Sequence, residues 1–234
     1  MGTVRDFARL VVPKRARRFV RAQFEAVLLR RGMSRLLALP DPSDPPPRVI
    51  RDLVGGWGNR SMSAWEDFIR AFLGYARETD GSILECGSGL STVLLGLVAE
   101  RTGRKVYSLE HDPVWADRAR RVLRRYRIAG VEILVSDLRS YGAYSWYDPP
   151  LDILPKDFSL VVCDGPPWDT PGGRYGLLPV MRSHLKPGCI ILLDDANRAG
   201  EREIAERWAR ELATSFAIEG SNKMFARLSV PKSS

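Results

Sequence analysis

Acidic residues stand directly after five strongly apolar segments of this 234-residue chain. Each segment lies between stretches of helical periodicity, a pattern that predicts a buried strand. The acids at the five ends are Glu85, Glu110, Asp137, Asp164 and the pair Asp194-Asp195. Ligands of open α/β sheets bind beyond the carboxyl ends of the strands. The sequence therefore predicts that these carboxylates line one ligand site.

A glycine-rich turn follows the first of these segments. In Glu85-Cys-Gly-Ser-Gly89, Gly87 and Gly89 allow the backbone to turn sharply and to approach a ligand closely. Thr92 stands where the dinucleotide-binding fingerprint has its third glycine. A carboxylate before the turn suits a cationic ligand better than a pyrophosphate, which prefers bare backbone amides. A glycine turn without a ligand is the alternative.

Alternating strand and helix patterns predict the elements that position these residues. Seven strands are predicted near residues 82–86, 105–110, 131–136, 158–163, 189–193, 215–219 and 223–229. Helices are predicted near 91–100, 113–127, 175–185 and 201–212, and a capping box at Ser63 starts another that ends near Glu78. This order predicts a Rossmann-like, doubly wound, mostly parallel seven-stranded sheet with helices on both faces.

The excess positive charge lies in the N-terminal segment. Residues 1–38 hold ten Lys and Arg against two acidic residues, which equals the net charge of +8 of the whole chain. We predict a basic amphipathic helical arm over residues 1–39, a Pro/Gly-rich linker over 40–61 and an α/β domain over 62–234. The apolar residues of the arm recur at helical spacing between arginines, as in Val20, Phe24, Val27 and Leu28.

The arm and the cysteines bear on partners and location. The arm suits three contacts: an anionic membrane surface, its own domain, or a second subunit in a homo-oligomer.

Cys86, Cys163 and Cys189 form no C-x-x-C pair and are expected in core strands. No apolar run approaches the roughly 20 residues of a membrane span, and no secretory signal is visible. A cytoplasmic protein is expected, with peripheral membrane contact as the alternative.

Three motifs resemble class I S-adenosylmethionine-dependent methyltransferases. They are Ile83-Leu-Glu-Cys-Gly-Ser-Gly-Leu-Ser91, Ser108-Leu-Glu-His-Asp-Pro113 and Val162-Cys-Asp-Gly-Pro-Pro167. The resemblance covers about residues 62–230 and implies that this domain binds S-adenosylmethionine. It implies that Glu110 binds the ribose, that Asp137 and the Leu138 amide bind the adenine, and that His111 lies near the adenosine. The residues implied at the methionine end are Glu85, Gly87, Gly89 and Ser91.

A narrower resemblance is to metal-dependent O-methyltransferases related to catechol O-methyltransferase. Asp164 matches that family's Asp after the fourth strand, and Asp194 with Asp195 matches its Asp-Asn pair after the fifth. The resemblance implies a Mg²⁺ ion held by these three residues. The ion would bind the acceptor's oxygens. Pro167 replaces the lysine base that the family places three residues after its first Asp, so that route of proton removal is excluded. Helix capping or pairing with nearby arginines is the alternative role of the Asp pair.

The predicted function is methyl transfer from S-adenosylmethionine to an oxygen of a small molecule or sugar. Asp164 is the predicted catalytic residue, either as a metal ligand or as a direct orienting base. A nucleic-acid N-methyltransferase is the first alternative, because Asp164-Gly-Pro-Pro167 is similar to the Asn/Asp-Pro-Pro-aromatic motif. Gly165 interrupts that motif, and the charge-balanced body disfavours nucleic acid as a partner. A non-catalytic adenosyl-binding scaffold protein is the second alternative.

Overall fold

The structure, a computed structural model, describes residues 14–58, 66–221 and 223–232. These residues form two compact units. The first consists of residues 14–40 and 45–58, and the second of residues 41–44 and the chain from residue 66 onward.

The first unit is a pair of packed helices, α1 (Lys14–Leu37) and α2 (Pro47–Trp57). Met33 of α1 and Leu53 of α2 are buried, and Arg31 donates from Nε to Asp52 Oδ2 at 2.7 Å. Gly56 packs against the backbone of Leu29, where any Cβ would collide.

The α2 helix corrects the predicted linker over residues 40–61. Pro47 begins this helix rather than preventing it, because the first helical turn has no intrahelical partner for the amide that proline lacks. Gly55 and Gly56 lie inside the helix. Of the predicted apolar stripe, only Leu28 is buried. The other three members, Val20, Phe24 and Val27, are exposed.

The second unit contains the sheet. Its elements are α3 (Glu66–Glu78), β1 (Ile83–Cys86), α4 (Leu90–Arg101), β2 (Val106–Glu110), α5 (Pro113–Tyr126), β3 (Val131–Val135), β4 (Leu138–Ser140), β5 (Ser145–Tyr147), β6 (Phe158–Cys163), α6 (Leu177–Met181), a 3₁₀ turn (Arg182–His184), β7 (Leu185–Leu193), α7 (Ala199–Leu212), β8 (Phe216–Glu219) and β9 (Phe225–Ser229). The predicted start of α3 at Ser63 lies outside the described residues.

The seven-stranded sheet has the order β3-β2-β1-β6-β7-β9-β8. The first five strands are parallel, and β9 runs antiparallel to both β7 and β8. The predicted Rossmann-like fold is confirmed. Strand order reverses between β1 and β6, where Cys86 pairs with Cys163, so the loops after these strands leave the sheet side by side.

The sheet's core explains the apolar segments. Every residue of β1 and β6 is buried, and the three cysteines are fully buried as predicted. α4 is apolar on nearly all sides, as expected of a helix with little contact to water. The structure also contains a short antiparallel hairpin of β4 and β5, which is not among the seven predicted strands. Trp146 and Tyr147 of this hairpin are fully buried, so these two aromatics pack in the core.

Candidate active site

The glycine turn after β1 forms an open cradle. Gly87 has a φ of +91°, a left-handed conformation that favours glycine, and its amide donates to the Leu109 carbonyl at 2.8 Å. A Cβ on Gly87 would lie 3.1 Å from the backbone nitrogen of Gly165. A Cβ on Gly89 would meet only Ser91 Oγ, at 3.8 Å. The turn is therefore packed on one side and open in front of Gly89, where a ligand could reach the backbone.

Glu85 anchors this turn from below. Its buried Oε2 accepts hydrogen bonds from Thr92 Oγ1 and Ser108 Oγ, both at 2.6 Å. Thr92 Oγ1 in turn accepts from the Gly89 amide at 2.8 Å. Burial raises the pKa of Glu85 to about 7, although the neighbouring hydroxyls oppose that shift. The other carboxyl oxygen, Oε1, has no hydrogen-bond partner among the described residues, so it is the one left for a cationic ligand.

Glu110 links the end of β2 to the same turn. Its Oε2 accepts from both the amide and the hydroxyl of Ser88, each at 2.8 Å, and its Oε1 accepts from the Asp112 amide at 2.9 Å. His111 Nδ1 lies 3.1 Å from Oε1. A carboxylate offers about four lone-pair sites, so Glu110 keeps capacity for a ligand's hydroxyl. The structure thus brings the predicted ribose acid and His111 to the glycine turn.

The predicted adenine residues lie at the neighbouring strand end. The Ser136 amide donates to the Glu110 carbonyl at 2.8 Å, which joins the end of β3 to the end of β2. Asp137 follows with an exposed side chain, and its carbonyl accepts from the Asp148 amide at 2.9 Å. Leu138, half-buried, begins β4. These residues therefore border the same edge of the sheet as Glu110.

Three acids converge after β6 and β7. One carboxylate oxygen from each of Asp164, Asp194 and Asp195 lies within 4.8 Å of the other two. Their convergence follows from the sheet, since the Asp194 amide donates to the Cys163 carbonyl at 3.0 Å. Asp194 and Asp195 are buried, whereas the side chain of Asp164 is 29% exposed. We call these residues the acid cluster.

A buried arginine joins the members of the acid cluster. Arg174 Nη2 donates to Asp164 Oδ1 at 3.0 Å and to Asp195 Oδ2 at 3.2 Å, and its Nη1 donates to the Asp194 carbonyl at 2.8 Å. Burial disfavours the charge of Arg174, but the surrounding carboxylates outweigh it and raise the pKa of the guanidinium.

Two further cations complete the pairing. Lys223 Nζ lies 2.6 Å from Asp195 Oδ1 and 3.1 Å from Asp194 Oδ2, and Arg198 Nη1 lies 2.8 Å from Asp195 Oδ2. Burial acts to lower the pKa of Lys223, but Asp194 and Asp195 raise it, so the ammonium is charged. The pairing with Arg198 matches the alternative role expected for the Asp pair. Sequence reasoning missed Lys223, which stands in the loop between β8 and β9, far along the chain.

The three acids of the cluster differ in how their surroundings shift their pKa values. Burial, followed by the charge of Asp194, raises the pKa of Asp164 to about 7. Burial also raises the pKa of Asp194. For Asp195 the burial effect is outweighed by Lys223 and Arg174, which lower its pKa. Asp195 is therefore the ionised partner of the cations, and Asp164 is the acid that exchanges a proton near neutral pH.

The acid cluster does not fit the predicted magnesium site. Oxygen ligands of a divalent cation must face the ion together. Here the guanidinium of Arg174 lies between Asp164 and Asp195, and Lys223 bridges Asp194 and Asp195. The predicted ligand set is brought together as expected, but side-chain cations stand where the ion would bind.

A cleft of about 280 Å³ is lined by residues that follow β6, residues of the β4–β5 hairpin loop and residues of α7. Three of its lining side chains are aromatic: Tyr144, Tyr175 and Trp168, of which Trp168 is 67% exposed. The ring of Tyr144 meets that of Tyr175 edge-on at 5.1 Å, and the Arg207 guanidinium lies 3.5 Å over Tyr175. Tyr144, which lies between β4 and β5, thus faces the cleft.

Two residues that line the cleft lie next to arginines that pair with the acid cluster. Gly173, in its wall, precedes Arg174. Glu201, which also lines the cleft, lies 3.7 Å from the same Arg198 Nη1 that pairs with Asp195. The cleft is therefore linked to the acid cluster through Arg174 and Arg198.

Comparison with known proteins identifies the type of domain. Residues 84–196 match a family model described as a methyltransferase domain, which spans the glycine turn and the whole acid cluster. The fold is a methyltransferase fold. No curated protein matches the chain in sequence. No helix within the described residues combines the length and the apolar character needed to cross a membrane.

Solved structures share the methyltransferase fold at low sequence identity. A protein from Staphylococcus aureus, provisionally assigned as a caffeoyl-CoA O-methyltransferase, aligns with a TM-score of 0.58 at 11% identity, covering 86% of this chain and 99% of that one. A provisionally assigned methyltransferase from Streptococcus mutans, in complex with SAH, gives 0.51 at 13% identity and covers 71% and 100%. An rRNA methylase from Streptococcus thermophilus gives 0.50 at 14% identity and covers 73% and 100%. The methyltransferase fold is therefore shared by proteins with different acceptors.

Proposed function

We propose that this chain is an S-adenosylmethionine-dependent methyltransferase that methylates an oxygen of a small molecule or sugar. The methyltransferase-domain match and the fold support the reaction class. The open glycine turn, with Glu85 and Glu110 beneath it, supports the cofactor, because a cationic ligand with ribose hydroxyls finds complementary oxygens there.

The cofactor would supply an electrophilic methyl group on a sulfonium. Glu85, Gly87, Gly89 and Ser91 would hold its methionine end, and Glu110, His111, Asp137 and Leu138 would hold its adenosine. The carboxylate of Glu110 is already fixed by Ser88 and Asp112, so little further ordering is needed when it accepts a ligand hydroxyl.

The position and acidity of Asp164 carry the proposal for the acceptor. The amides of Asp164 and Gly165 both donate to the Cys86 carbonyl, at 3.0 and 2.7 Å, so this acid stands directly beside the glycine turn. Its pKa of about 7 matches the requirement for a general base at neutral pH. Asp164 would orient the acceptor hydroxyl and take its proton as the oxygen attacks the methyl carbon.

The aromatic cleft supports an acceptor of small size. Exposed Trp168 and the ring of Tyr144 offer apolar faces, while Glu201 and Arg207 offer polar groups at the other wall. Pockets of a few hundred Å³ with aromatic walls and few polar groups are typical of small-molecule sites. We prefer this acceptor to nucleic acid because the chain after residue 38 carries equal numbers of basic and acidic residues.

The test combines cofactor binding with turnover on defined acceptors. Calorimetry with S-adenosylmethionine should show binding, and transfer of a radiolabelled methyl group should be seen on a member of a panel of phenols and free sugars. The Asp164→Asn variant should bind the cofactor like the wild type and lose most of its turnover, about 10²–10⁴-fold for a general base. Absence of cofactor binding contradicts the reaction class. Full turnover by Asp164→Asn contradicts the role of Asp164.

A further inference from the structure

The acid cluster holds its own positive charges. We propose that Arg174 and Lys223 take the place of a divalent metal in the acid cluster, so that the site is metal-independent and Lys223 is a positioning residue for the carboxylates. The inference concerns the site of the proposed function, but the charges and distances that carry it stand without a cofactor or an acceptor.

The first step is geometric. A metal shared by three acids would need an oxygen from each of them facing one point. Arg174 Nη2 already contacts Asp164 Oδ1 and Asp195 Oδ2, and Lys223 Nζ contacts Asp194 Oδ2 and Asp195 Oδ1. Both oxygens of Asp195 and one oxygen of each other acid are therefore engaged by a cation.

The second step concerns charge. Three ionised carboxylates would carry a charge of minus three, and Arg174, Arg198 and Lys223 supply plus three within 3.2 Å of them. A divalent ion placed among these cations would be repelled by them at low dielectric, where such charges interact strongly. The side chain of Arg174 is 3% exposed. If it left the cluster, a buried carboxylate would lose its ion-pair partner, which is strongly destabilising.

The third step concerns the oxygens left over. Asp194 Oδ1 is buried and has no hydrogen-bond partner among the described residues. Asp164 Oδ2 likewise has no cation contact among the described residues, but both oxygens of Asp195 are engaged, so no oxygen of Asp195 remains for an ion shared by all three acids.

The cations also hold three separate parts of the chain together. Asp164 follows β6, Asp194 and Asp195 follow β7, and Lys223 lies between β8 and β9. Asp195 adopts a φ of +63°, which is unusual for a residue other than glycine and is held by its ion pairs with Lys223, Arg174 and Arg198. Lys223 therefore fixes the loop that carries Asp195, and Arg174 joins that loop to Asp164.

The experiment measures Mn²⁺ binding to the full-length protein by electron paramagnetic resonance, which detects free Mn²⁺ directly. Wild-type protein should leave the free signal unchanged up to about millimolar Mn²⁺. Lys223→Met leaves the acids with two cations and should bind Mn²⁺ at least about tenfold more tightly. Lys223→Arg restores the charge and should behave like wild type. Lys186→Met, which removes a lysine that pairs with Asp80 at the surface, is the matched control.

Each outcome decides the inference. Submillimolar Mn²⁺ binding by the wild type, abolished by Asp195→Asn, overturns it. If Lys223→Met does not bind Mn²⁺ more tightly than wild type, or if Lys186→Met gains as much affinity, the proposed role of Lys223 is overturned. If Lys223→Met fails to fold, Arg198→Met removes a half-exposed partner of Asp195 and should show the same direction of change. Cofactor binding is measured separately by calorimetry, so failure of the proposed function leaves the metal result readable.

Discussion

Gly165 and Gly87 touch through their backbones where β6 and β1 end. A Cβ on Gly165 would lie 2.9 Å from Gly87 Cα and would also collide with the hydroxyl of buried Tyr147. Gly87 Cα belongs to the backbone and the Tyr147 ring is fully buried, so neither can move away without a large energetic cost. The contact holds the loop of Asp164 against the glycine turn, and it requires glycine at position 165.

Gly165→Ala should therefore destabilise the protein by about 1–3 kcal/mol, the usual cost of overpacking. It should also weaken S-adenosylmethionine binding, since Gly87 must shift. Urea unfolding and calorimetry check the two effects. Gly74→Ala is the control: this glycine lies inside α3, where a Cβ meets nothing within 4 Å, and alanine should stabilise by about 0.5–1 kcal/mol. Equal stability of both variants would show that the contact is not tight.

Glu110→Ala should weaken S-adenosylmethionine binding by about 1.5–3 kcal/mol, the scale of a charge-assisted hydrogen bond lost at a buried site. The physical reason is twofold, because the variant loses the oxygens offered to the ribose and frees Ser88, which Glu110 holds. Calorimetry gives the dissociation constant. Glu132→Ala, on the exposed part of β3, should leave it unchanged. A wild-type constant in Glu110→Ala would rule out Glu110 as the ribose acid.

The strands and the convergence of the acids were predictable, whereas the partners of the acids were not. Buried parallel strands must be apolar, so β1, β6 and the end of β7 appear in the sequence as apolar runs, and topology brings their ends together. Lys223 pairs with acids 28 and 29 positions before it, a contact that no local pattern encodes. The sequence shows the carboxylates but not the cations between them, so it leads to a metal-site hypothesis that the structure does not support.

Proline and glycine content alone does not exclude a helix within residues 40–61. Pro47 occupies the first helical position, where proline is favourable. Gly56 lies inside the helix and packs closely against Leu29. Packing between the two helices overrides the low helix propensity of these residues.

Glu85→Gln should change how stability depends on pH. The folded protein holds the proton of Glu85 up to about pH 7, while the unfolded chain loses it near 4.5. The folded state therefore binds more protons between these values, and wild-type stability falls as pH rises through that window, by about 3 kcal/mol for this one group. Glutamine removes the effect. Urea unfolding at pH 4 and pH 8, without cofactor, measures the difference between variant and wild type. A difference that is equal at both values would contradict the raised pKa.

Deprotonation of Asp164 should make the rate of turnover depend on pH, which gives one limb of the pH profile. Because its pKa lies at about 7, the deprotonated base accumulates above neutrality, so kcat/KM should rise as pH increases through 7 and level off beyond it. The Asp164→Asn variant should lose this limb together with most of its activity. The rates are measured with whichever acceptor of the phenol and sugar panel is turned over. A limb that persists in Asp164→Asn would assign it to another group.

The arm presents an apolar face that its own unit does not cover. Phe19, Val20, Phe24 and Val27 of α1 are each more than half exposed, while Leu28 and Met33 are buried. Eight of the ten basic residues within positions 1–38 lie in α1, against a single acid, Glu25. Apolar side chains bordered by arginines match an anionic bilayer, where each basic residue contributes about 1 kcal/mol near the surface and the apolar groups enter the interface.

Full-length protein should therefore float with vesicles that contain anionic lipid and should remain in solution with neutral vesicles. Changing both Phe19 and Phe24 to serine should reduce binding to anionic vesicles at least about tenfold, because each phenylalanine buries apolar surface in the interface. Val114→Ser, at an exposed valine of α5, is the control and should bind like wild type. Light scattering on the same samples reports mass. If the double variant binds vesicles unchanged but turns a dimer into a monomer, the exposed face contacts a second copy of the chain rather than a membrane.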